Sequence, residues 1–104
     1  MKARIELKAK EDELYDELDG CEEDRCEYKV ARGKLDAIGF LLGETDPITD
    51  DEDASVPQSD EDLDRLIATL KAERENIAEY SFFGDPNWKV CDAQIEICEW
   101  AKGT

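Results

Sequence analysis

The chain has 104 residues, with 29 Asp+Glu against 13 Lys+Arg, no His, four Cys and a formal net charge of -16. That length holds one domain with one modest core and excludes a multidomain enzyme or a long solenoid. The absence of His removes the commonest neutral-pH proton shuttle and every imidazole metal ligand.

The elements read as mostly helical. Residues 1–10 alternate Met1, Ala3, Ile5, Leu7 and Ala9 with Lys2, Arg4, Glu6, Lys8 and Lys10, a strand-like pattern that can equally open a helix. Leu7, Leu14, Cys21, Tyr28, Leu35 and Leu42 recur every seven residues, with Leu18, Ala31 and Ile38 on nearly the same face. Gly20 divides this stretch into two helices, the second spanning 22–42 and ended by Gly43 ahead of Pro47. Residues 44–58 combine two prolines, few large apolar side chains and dense like charge, and are expected to form a flexible acidic connector within one 104-residue domain.

Ser59 followed by Asp60, Glu61 and Asp62 is a helix start, the serine capping a backbone N–H and the acids favouring the positive helix end. Leu63, Ile67, Leu70 and Ile77 supply an apolar stripe, Leu66 widens it, and Arg74 can lay its stem over carbon. Tyr80, Phe82 and Phe83 form an aromatic cluster before Gly84, expected chiefly in the core, and Asp85-Pro86 starts a further segment. As a helix, that segment places Trp88, Cys91, Ile95 and Cys98 on one face and Val90, Ile97 and Ala101 on another. As a strand it would alternate and pair with the N-terminus. The expectation is a small helical bundle with an acidic inter-helix loop; the alternative is an α+β fold with terminal strands.

Chemical sites are sparse. Cys21 and Cys26, and Cys91 and Cys98, lack the short paired spacing of four-Cys zinc sites, so free thiols are favoured over disulfides or zinc. Asp46, Asp50, Asp51, Glu52 and Asp53 offer hard oxygen ligands but lack the glycine and glutamate spacing of an EF-hand loop. Asp12 and Asp16 match glycosidase carboxylates by type alone, and a reactive cysteine would lack a histidine base. There is no Gly-rich phosphate loop. A non-enzymatic protein with no cofactor and no metal is expected.

Charge placement carries the functional signal. Residues 1–10 hold a local charge of +3, residues 11–43 hold -7, and residues 44–64 contain ten acids and no base. Asp12/Asp16, Glu13/Glu17, Asp19/Glu23 and Glu23/Glu27 are each four apart, which on a helix sets carboxylates about 6 Å apart, the scale of consecutive backbone phosphates. Such a surface repels nucleic acid and attracts a basic protein.

In this respect residues 11–27 and 44–64 resemble the small acidic nucleic-acid mimics of phage and plasmid counter-defence. That resemblance implies a viral or plasmid inhibitor that occupies the nucleic-acid-binding surface of a basic protein or complex. The expected contact residues are Asp12, Glu13, Asp16, Glu17, Asp19, Glu23, Glu27, Asp50, Asp51 and Asp53, with the connector acids serving mainly encounter. Direct nucleic-acid binding is not expected. No apolar run reaches the roughly 20 residues that span a bilayer, and no signal peptide is evident, so a cytoplasmic chain without membrane contact is expected. The alternative function is a helical structural or adaptor protein that forms a homo-oligomer, a homodimer being the simplest.

Overall fold

A computed structural model describes residues 1–22, 26–49, 55–80 and 86–102, and of Glu79 and Tyr80 the backbone. The chain is a four-helix bundle: α1 (Arg4–Asp19), α2 (Cys26–Leu42), α3 (Asp60–Tyr80) and α4 (Pro86–Ala101). Among the described residues there is no strand, so the α+β alternative is not adopted. The N-terminal ambiguity resolves toward helix because Leu7, Leu14 and Leu18, spaced by seven and four, all turn toward the core. Strand alternation would have scattered them.

Helix ends follow the sequence signals. The Ser59 Oγ accepts the Asp62 N–H at 3.2 Å, and the Asp62 carboxylate accepts the Gln58 N–H at 3.0 Å. At the end of α2, Gly43 adopts φ +76°, its N–H reaching Phe40 O at 3.0 Å while the Glu44 N–H reaches Gly39 O at 2.8 Å. This pair of bonds satisfies two otherwise orphaned carbonyls and requires a left-handed residue, which glycine supplies without strain. The α1 start has no polar cap side chain; there the Glu6 carboxylate accepts the Ala3 N–H at 3.1 Å.

Helix α2 is central, packing on α1 and α4, while α4 lies between α2 and α3. Phe40, Leu14, Ile38, Leu63, Leu70 and Cys98 are the largest side chains shut almost completely away from water. The α2–α4 crossing is close at Gly33, where a Cβ would stand 2.6 Å from Val90 Cγ1. The buried Gln94 side chain donates to Gly33 O at 3.2 Å and so satisfies its amide at that crossing. Ile48 and Val56 pack against the core, Pro57 is buried beside them, and α1 is left with its outer face open.

Candidate partner-binding surface

The structure separates the acids by what their carboxylates already do. Near the start of α3, Asp60 lies 2.5 Å from the Met1 amino group, Glu61 and Asp62 face Arg65 at 2.9 and 3.8 Å, and Asp64 holds Lys102 at 2.7 Å. Farther along, Arg74 meets Asp92 at 2.5 Å with its guanidinium 5.7 Å from the Trp88 ring, and Lys71 meets Glu99 at 3.6 Å. These acids cap α3, pair along it, or tie it to the N-terminal Met1 and to α4 and the Lys102 that follows it.

The basic N-terminal segment is likewise engaged. Arg4 donates to Leu42 O at 3.1 Å, covering the carbonyl end of α2, and faces Glu44 at 4.0 Å. Lys8 bridges Glu44 and Glu11, while Lys2 and Lys10 stand 5.1 and 5.6 Å from the centre of the Trp100 ring. The hydrogen bond from Lys8, then that with Glu11, holds the Glu44 carboxyl below its ordinary pKa; burial and the hydrogen bond with Glu44 push Glu11 up.

The acids anticipated as contacts divide differently. Glu13 pairs with Lys10 at 3.6 Å and Glu17 with Lys34 at 4.0 Å. Asp12, Asp16 and Asp19 are exposed on the outer face of α1, and Glu27 is exposed in the first turn of α2; among the described residues none of these four has an ion-pair partner. Glu23, Asp50, Asp51 and Asp53 lie outside the described residues.

Helix α1 ends at Asp19 and α2 begins at Cys26. The Asp19/Glu23 and Glu23/Glu27 pairs rest on Glu23, outside the described residues. Among the described residues the regular carboxylate spacing lies on α1, where Asp12, Asp16 and Asp19 step by four and three along about 10 Å of helix.

All four cysteines are free. Cys21 donates to Glu17 O at 3.3 Å, and Cys91 donates to Leu70 O at 3.1 Å inside the α3–α4 contact. Burial pushes the Cys91 thiol up to about 11 and Cys98 up to about 12, so both are thiols rather than nucleophilic thiolates. No cluster of three or more metal-ligating side chains occurs among the described residues. A recess of about 270 Å³ lies between Phe40, Val56, Pro57 and the Asp62–Thr69 face of α3. No helix among the described residues is long and apolar enough to cross a membrane. The Tyr80, Phe82 and Phe83 side chains anticipated in the core fall outside the described residues. No protein family, curated protein or solved structure matches the chain.

Proposed function

We propose that this chain is a non-enzymatic binding protein that occupies a basic, nucleic-acid-binding surface of a partner protein, in the manner of the phage and plasmid counter-defence inhibitors it resembles in charge. One observation carries the reading. Among the described residues most other acids are engaged in caps or ion pairs, within or between helices, whereas Asp12, Asp16 and Asp19 form a row without ion-pair partners on a helix packed chiefly on one neighbour.

Such a row costs stability, because like charges three and four residues apart repel and the last turn of α1 contains no base to complement its negative end. A basic cleft removes that cost on binding and supplies the missing counter-charges. Carboxylates held on a rigid helix also lose little freedom when they meet lysines and arginines, which favours a specific complex over loose polyanion attraction. The homo-oligomeric alternative has less support: Ile5 and Tyr15 are the only large apolar side chains strongly exposed among the described residues.

The test compares two charge-matched triple variants on a captured basic protein. Asp12→Asn/Asp16→Asn/Asp19→Asn should weaken binding and flatten its salt dependence, while Asp60→Asn/Glu61→Gln/Asp64→Asn, made in acids already used internally, should leave affinity nearly unchanged. Equal losses would assign binding to net charge alone, and full affinity in both would remove the mechanism.

A further inference from the structure

The outer face of α1 is not uniformly acidic. Ile5, Ala9, Asp12, Asp16 and Asp19 follow one another at steps of four, three, four and three, and every one is exposed. That row is about 21 Å long at 1.5 Å per residue, apolar at its N-terminal end and anionic at the other. Tyr15 borders the anionic end, three residues after Asp12 and four before Asp19, so its ring neighbours both carboxylates on the helix surface. Ile5 is 79% and Tyr15 52% exposed, and both lie on this one helix. Either alone would be ordinary on a solvated face, but these two are the large apolar side chains most exposed among the described residues, and both border the acidic row. Tyr is also the kind of residue that anchors interfaces, because a rigid ring buries a large area at small entropic cost.

We infer that α1 docks into a protein groove built for single-stranded nucleic acid, with Asp12, Asp16 and Asp19 meeting the cations that track the backbone and Tyr15 taking the position of a stacked base. This rests on the function proposed above and narrows its partner. Single-strand grooves combine a positive track with aromatic side chains on which bases stack, whereas contacts to a duplex backbone are made by cations and hydrogen-bond donors. An aromatic ring set between carboxylates at helical spacing complements the first arrangement in both charge and chemistry. Ile5 and Ala9 extend the apolar contact beyond the anionic row. Binding should therefore contain a component that salt does not screen, since stacking and apolar burial persist where Coulombic attraction fades.

The experiment uses two fluorescent peptides of equal length and charge, one repeating Lys-Trp-Lys-Gly and the other Lys-Ala-Lys-Gly, titrated with the full chain at about 50 mM and about 300 mM NaCl. At the higher salt the tryptophan peptide should bind about tenfold more tightly than the alanine peptide. Tyr15→Ala should abolish that preference, Ile5→Ser should reduce it, and Tyr15→Phe should retain it. Circular dichroism and urea midpoints of these exposed-site variants should match the parent, so that a lost preference reports the surface. Equal affinity for the two peptides, or a preference indifferent to Tyr15→Ala, overturns the single-strand assignment. If that equal binding is lost in Asp12→Asn/Asp16→Asn/Asp19→Asn, the acidic-surface reading survives with a duplex-type cleft as partner. No binding of either peptide at low salt overturns both.

Discussion

Neutralising Asp12, Asp16 and Asp19 together should make the protein more stable while making it a poorer binder. Asn matches Asp in volume and nearly in helix propensity, so Asp12→Asn/Asp16→Asn/Asp19→Asn changes charge and little else. Three like-charge pairs disappear, Asp12 with Asp16, Glu13 with Asp16 and Asp16 with Asp19, each worth roughly 0.2–0.5 kcal/mol of repulsion on a helix surface. Asp16 and Asp19 also lie in the last turn of α1, which contains no base, and removing them relieves an unfavourable dipole contact of about 0.3–1 kcal/mol. The sum is about 1–2.5 kcal/mol at low ionic strength, and each 1 kcal/mol corresponds to about 4–8 °C in Tm for a domain of this size. Thermal and urea unfolding at low and high salt measure it: the variant should gain most at low salt, and the gain should shrink as screening increases. A loss of stability at low salt, or a gain indifferent to salt, would mean that these carboxylates have internal partners and that the uncommitted row does not exist.

Leu70 is fully buried, so Leu70→Ala should cost roughly 2–5 kcal/mol in urea unfolding, and a cost below 1 kcal/mol would place it outside the core. Gly33→Ala forces a Cβ toward Val90 Cγ1 at the α2–α4 crossing and should destabilise by about 1–3 kcal/mol, with Val90→Ala recovering part of that loss in a double-mutant cycle. Native protein at mildly alkaline pH should present Cys21 and Cys26 to a thiol reagent while Cys91 and Cys98 react only after unfolding, which mass mapping of the labelled peptides resolves. The Glu44 carboxyl is held below its ordinary pKa by Lys8, so its contribution is present above the unfolded carboxylate value and is lost as pH falls through the folded one. Glu44→Gln should accordingly flatten the acid limb of the stability curve.

The helices were legible because their signals are local. Leu7, Leu14, Leu35 and Leu42 carry a seven-residue period into the core, Ser59 caps α3 as its hydroxyl and following acids announce, and Gly43 ends α2 where a left-handed residue is needed. The N-terminal segment was ambiguous because alternation and helical periodicity both fit ten residues, and only packing against α2 decides between them.

The surface was less legible because carboxylates of one type have different partners. Lys10 with Glu13 is visible at a spacing of three, but Lys34 with Glu17, Lys102 with Asp64 and Arg74 with Asp92 join residues far apart in sequence. The density of acids near Asp60 therefore overstated the charge free to meet a partner. The exposed Tyr15 was missed for a related reason: its ring looks like core material until the direction of α1's buried face is known, and Leu14 and Leu18 fix that direction.

Whether a basic partner can hold this chain and nucleic acid at once is the most direct test. A partner purified on the immobilised chain should be titrated with labelled single-stranded nucleic acid at fixed, moderate salt, with increasing amounts of the chain or its Asp12→Asn/Asp16→Asn/Asp19→Asn variant. The parent chain should displace the nucleic acid completely and the variant should do so only at much higher concentration. A stable ternary complex with undiminished nucleic-acid affinity would contradict occupation of the nucleic-acid-binding surface.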